Sequence, residues 1–155
     1  MEGVTGRIPP LDDNGLLPPG VWDCSLSEIR ERFATTPHRK RLWDGLLQFL
    51  EAEVRPLGSL SVWIDGSFTR AKPFPEDIDV VLDFSAADLA AVAYHILSFR
   101  VRHDELKERY HVDVWPRHPA VENDLAAFFQ YAGVKCAAEL RVDRKHPKGI
   151  LRVQL

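Results

Sequence analysis

Apolar residues recur at Leu42, Trp43, Leu46, Leu47, Leu50 and Val54, the spacing of one stripe on a helix, and predict a helix over 37–55. Thr36-Pro37 starts it, because a proline at the first helical position loses only an N–H that has no partner there, and Pro56 with Gly58 ends it. Upstream, Ser25 and Glu28 have the spacing of a capping box and predict a short helix over 26–33. The period then changes. Residues 60–65 alternate, 78–84 contain the β-branched "IDVVL", and 110–115 read "YHVDVW"; each predicts a strand, as does the closing "GILRVQL" over 149–155. Residues 86–99 and "AVENDLAAFFQYA", 120–132, read as helices.

Residues 1–22 hold Pro9, Pro10, Pro18 and Pro19, which suit neither a helix interior nor a sheet interior, and read as an extended arm ahead of a domain over 23–155. Helices and strands alternate through that domain. The expected fold class is therefore α+β (α/β), with one mixed β-sheet packed against helices mainly on one face.

At 155 residues, one domain with a sizeable core is expected. The hydrophobic share of 45% and charged share of 28% are those of a globular protein, and no apolar run approaches the ~18 residues of a membrane span. The N-terminus lacks a basic start and an apolar segment of signal-peptide type, so a cytoplasmic location without membrane partners is expected. Cys24 and Cys136 lie far apart without metal-type spacing. A net charge of −3 argues against coating nucleic acid by bulk positive charge, although Arg141, Arg144, Lys145, Lys148 and Arg152 crowd the C-terminal region and read equally as a phosphate or RNA contact and as a basic loop.

The candidate chemistry lies in "WIDGSFTRAKPFPEDIDVVLDF", residues 63–84. Strand alternation aims Asp77 and Asp79 to one side and Ile78, Val80 and Leu82 to the other. Two carboxylates so close repel unless a cation compensates, and hard oxygen ligands without a His or Cys cluster favour Mg2+ or Mn2+. Gly66-Ser67 forms a turn whose small residues let backbone amides approach a phosphate; Arg70 and Lys72 follow with charge for a triphosphate. Asp113, in the third predicted strand, is the expected third carboxylate of a two-metal site, with Asp65 and Asp83 as alternatives. His111 shares its strand face with Asp113, whereas His95, His103 and His118 read as surface or packing residues.

An apolar strand, Gly-Ser, a spacer, Asp-x-Asp opening the next strand and a later acidic residue together resemble the DNA polymerase β-like nucleotidyltransferase superfamily. Gly66 and Ser67 match its phosphate turn, Asp77 and Asp79 its metal pair, Asp113 its third carboxylate and Arg70 the basic residue after the turn. The pattern departs in two places. Ala71 stands where a glycine is common, and Pro73 and Pro75 limit any helix after the turn to a very short one.

The resemblance implies a nucleotidyltransferase-like fold of the minimal, single-domain bacterial type, some of which act in toxin–antitoxin or defence systems. It implies transfer of a nucleoside monophosphate from an NTP donor to an acceptor hydroxyl on RNA, protein or a small molecule. Asp77, Asp79 and Asp113 would be the catalytic metal ligands. A second reading keeps the fold without the activity, as a binding protein or antitoxin acting through a partner. A lone Gly-Ser would be an ordinary turn, and the Asp pair could be a solvated strand face; their combination favours the site.

Overall fold

The computed structural model describes residues 8–121 and 132–155. The helix expected over 120–132 lies for the most part outside the described residues. Helix α1 (Leu26–Phe33) starts at a reciprocal capping box, in which Glu28 N–H donates to Ser25 Oγ at 3.2 Å and Ser25 N–H to Glu28 Oε2 at 3.1 Å. Helix α2 (Pro37–Phe49) starts at Thr36, whose hydroxyl accepts from Arg39 N–H. Beyond Phe49 the chain widens into a π turn, Leu50–Val54, and tightens into a 3-10 turn, Arg55–Leu57. The apolar spacing accounts for this. Leu42, Leu46, Leu50 and Val54 repeat every four residues, which overshoots a 3.6-residue turn, and the wider turn returns Leu50 and Val54 to the buried face.

Five strands follow the order β1-β5-β2-β3-β4 in one mixed sheet: β1 (Gly20–Asp23), β2 (Ser61–Asp65), β3 (Ile78–Asp83), β4 (Val112–Arg117) and β5 (Gly149–Gln154). Strand β2 runs antiparallel to β3 and β5, while β3–β4 and β1–β5 are parallel. Val62, Ile64, Ile78, Val80, Leu82, Val112, Val114, Leu151 and Val153 form the sheet's side of the main core, packed against α1, α2, α3 (Leu89–Val101) and α4 (His103–Tyr110). The opposite face carries a small cluster of Trp63, Val81 and Ile150, with Arg117 over the Trp63 ring. The expectation of a mixed sheet covered mainly on one face is met. Among the described residues no helix is long and apolar enough to cross a membrane.

Several elements depart from the sequence reading. Strand β1 lies within the stretch read as an arm, and Ile8, Leu16 and Leu17 of that stretch are buried. Its prolines all precede β1, whose residues GVWD include none, so no proline interrupts the pairing with β5. Helix α3 starts later than expected, since Asp83 Oδ1 accepts from Ser85 N–H and holds a turn there. Helix α4 buries only Leu106 and Tyr110, too few to show a helical period. His111 caps it in the left-handed region, φ 56°, which moves β4 two residues beyond the expected start. Helix α5 (Gly133–Leu140) rests on Leu16 through Ala132, Cys136, Leu140 and Val142.

Arg39, in the basic run His38-Arg39-Lys40-Arg41 at the start of α2, is buried. Its guanidinium donates to the carbonyls of Phe33 at 3.1 Å, Phe68 at 2.7 Å, Arg70 at 2.7 Å and Lys72 at 2.6 Å, and lies over the Phe68 ring. One side chain thus fixes the segment that follows the Gly-Ser turn. Burial, with Arg70 nearby, lowers its pKa without removing the charge at neutral pH. Arg39→Lys replaces a planar fork by a point charge that cannot reach four carbonyls, and should lower stability by about 2–4 kcal/mol. Denaturant unfolding measures the loss, and hydrogen exchange should show faster opening of residues 68–72.

Candidate active site

Pairing register places Asp65 of β2 opposite Asp79 of β3, and Asp79 opposite Asp113 of β4. Adjacent strands lie about 4.7–4.9 Å apart, so one rung of the sheet carries three carboxylates on the same face. Asp77 adds a fourth two residues before Asp79. All four line a cavity of about 390 Å³ together with Gly66, Ser67, Arg70 and Lys72. Every residue expected to form the site therefore reaches one cavity.

The carboxylates differ in their counter-charges. Asp65 is buried and pairs with Lys148, itself buried. Burial pushes the Asp65 carboxyl up while Lys148 pulls it down. Asp77 pairs with Lys107 Nζ at 3.3 Å, and Asp113 Oδ1 lies against His103 Nε2. That last contact is close but poorly directed: both atoms are buried without an aligned hydrogen-bond partner, as is Asp65 Oδ2. Asp79 faces carboxylates. Burial first, then Asp65, Asp77 and Asp113, pushes it up to about 8, so it holds a proton at neutral pH in the metal-free protein.

The turn side of the cavity is built around Gly66, at φ 84°. A Cβ there would run into the Asp79 carboxylate, so the glycine answers to backbone conformation and to the space its neighbour occupies. A 3-10 turn, Ser67–Thr69, follows, as short as Pro73 and Pro75 require. Arg70 and Lys72 both point to Glu139 of α5, the lysine at 3.0 Å. These two cations hold the Glu139 carboxyl down to about 2.

Three of the cavity's other residues, Asp65, Lys107 and Lys148, and His103 against Asp113 were not assigned to the site from the sequence. Asp65 was visible only as an alternative to Asp113, and the sheet places both on the rung. Lys148 lay in a basic run without an assigned partner; Lys107 and His103 sit on the charged helix α4, one turn apart, a spacing that could have marked them as one face. Asp83 is excluded from the cluster. It lies four residues along β3 from Asp79, about 13 Å by strand rise, and pairs with Arg117 at 3.0 Å. His111 is an exposed cap, and His103 is the histidine that meets Asp113.

Among the described residues no group of three or more His, Cys, Asp or Glu side chains is arranged to hold a metal ion as it stands. The reason is visible in the pairing: Asp77 is drawn to Lys107 and Asp113 to His103. The donor set nevertheless fits a hard divalent cation. It is all carboxylate and crowded, and Asp65 Oδ2 is buried without a hydrogen-bond partner.

No curated protein and no solved structure matches the chain. Residues 9–154, nearly its whole length, match a family of unknown function, DUF6932, and the chain belongs to that family.

Proposed function

We propose that the protein is a divalent-metal-dependent nucleotidyltransferase, of the kind its motif resembles, which transfers a nucleoside monophosphate from an NTP to an acceptor hydroxyl. The observation that carries this reading is the carboxylate rung, Asp65-Asp79-Asp113, opening with Asp77 into the same cavity as the Gly66-Ser67 turn. So dense an acidic cluster costs several kcal/mol in the fold, which favours a function that uses it over a solvated strand face.

Asp77, Asp79 and Asp113 would hold Mg2+ or Mn2+. The cation would supply the positive charge that the rung lacks and polarise the reacting phosphoryl oxygens. Ser67, through its hydroxyl and amide, and Arg70 and Lys72, through their charges, bind the donor's phosphates. The acceptor oxygen forms a bond to the α-phosphorus, the bond to the bridging oxygen of the β-phosphate breaks, and pyrophosphate leaves with that electron pair. The acceptor's proton passes to Asp113, beside His103. Catalysis then rests on positioning and charge neutralisation.

One observation favours a second reading. Arg70 and Lys72 are engaged with Glu139, Asp77 with Lys107 and Asp113 with His103, as in a binding protein that keeps the fold and works through a partner protein. Thermal melts separate the two. An NTP with Mg2+ or Mn2+ should raise the melting temperature more than either alone, since a ligand of the folded state adds about 2.7 kcal/mol at a hundredfold excess over its Kd. Melts unmoved by every metal–NTP pair favour the binding protein.

Variants test the roles. Asp77→Asn and Asp79→Asn should each abolish turnover of labelled NTP, with RNA or protein as acceptor, while remaining folded. Ser67→Ala should lower kcat/KM for the NTP about ten- to a hundredfold, the value of one hydrogen bond to a charged group. Equal efficiency in that variant and wild type would remove the turn from phosphate binding.

The proton on Asp79 sets a pH dependence. Its folded pKa, about 8, lies above the ordinary value of 3.8, so the native state binds the extra proton between those limits. Its contribution to stability is complete below pH 3.8 and is lost as pH rises through 8. Metal-free wild type should therefore lose stability relative to Asp79→Asn across that window, and the variant should be the more stable at pH 8. Chemical denaturation in EDTA at several pH values reads the difference; parallel pH profiles for the two proteins would contradict it.

A further inference from the structure

The cations on the turn side of the cavity both end on one carboxylate that the chain itself supplies. Glu139 accepts from Arg70 Nη2 through Oε2 and from Lys72 Nζ through Oε1. Among the described residues no other carboxylate pairs with either cation. The Arg70 side chain is 9% exposed and Lys72 20%, whereas Glu139 is 33% exposed, so the carboxylate is the most solvent-accessible member of the trio. It stands on α5, which packs through a small apolar cluster around Leu16, separate from the main core. A carboxylate and a phosphate offer the same paired oxygens to a guanidinium fork and an ammonium.

We propose that Glu139 is a built-in competitor for the donor, occupying on Arg70 and Lys72 the places of its phosphate oxygens and yielding them when a polyphosphate enters. The inference rests on the phosphate-binding role given to these cations above. In the free protein the two positive charges would otherwise be available to the aspartates on the facing wall, and pairing across the cavity would close it. Glu139 keeps them apart. The consequence is a lower apparent affinity, reduced by the fraction of molecules in which Glu139 has let go. Specificity follows as well: a ligand must present enough negative charge to replace a carboxylate held by two cations, which a triphosphate does and a monophosphate does poorly.

The test is calorimetric titration of inorganic tripolyphosphate, in magnesium buffer, into full-length wild type, Glu139→Gln, Glu139→Asp and Arg70→Ala. Glu139→Gln should bind about ten- to a hundredfold more tightly than wild type, the scale of one released charge-assisted hydrogen bond. Glu139→Asp, too short to span both cations, should fall between them. Arg70→Ala should lose binding. A carboxylate that only holds α5 in place would give the opposite order, with both Glu139 variants binding less well. Circular dichroism establishes that each titrated variant is folded, and Glu139→Asp carries the comparison if Glu139→Gln is not. Unchanged or weaker binding in the folded Glu139 variants, with Arg70-dependent binding in wild type, overturns the competition alone. No binding by any of the four proteins overturns the phosphate site with it.

Discussion

Like charges on neighbouring strands repel, and the architecture at this end of the molecule follows from holding three of them in one rung. Asp65, Asp79 and Asp113 stay aligned because the other face of the same strands is apolar without interruption: Val62 and Ile64, Ile78, Val80 and Leu82, Val112 and Val114. A slip of one residue would carry these side chains to the wrong face and the aspartates into the core. Each buried aliphatic contributes about 1.5–3 kcal/mol, so the core face together outweighs the repulsion at the rung. The remaining repulsion is met locally, by a proton on Asp79 and cations on its neighbours.

The basic side chains beside the carboxylates arrive from unrelated parts of the chain. Helix α4 presents His103 and Lys107 on one face, toward Asp113 and Asp77, and the residue before β5 brings Lys148 to Asp65. Across the cavity, Arg70 and Lys72 extend from a segment that Arg39 pins by its carbonyls. The sheet end thus carries the aspartates with their own basic partners, and the turn end carries Arg70 and Lys72.

Local signals were read where the physics is local. The capping box at Ser25 and Glu28 satisfies orphan amides within one turn and marks α1 from the sequence alone. The alternation in β2 and β3 identifies both strands and the face on which Asp77 and Asp79 stand, since side-chain direction in a strand depends only on position. Helix α4 and strand β1 carried no such signal. The first is nearly all charged and is held in place by Arg102 on Glu53 at 2.7 Å; the second is an edge strand whose identity comes from pairing with residues 149–152.

The sequence by itself therefore determined the Gly-Ser turn, the Asp77-Asp79 pair, the strand that carries Asp113 and an α+β fold around them. Only the tertiary structure decided that Asp65 joins the rung and Asp83 does not, that His103 and not His111 meets Asp113, and that Lys148 answers a carboxylate 83 positions away. It also decided that Arg39 is a buried staple and that Glu139 holds the two cations of the turn. The division has one physical cause. Backbone periodicity and capping act within a few residues, whereas electrostatic compensation depends on distance in space, and residues remote in sequence become neighbours only through sheet register and helix packing.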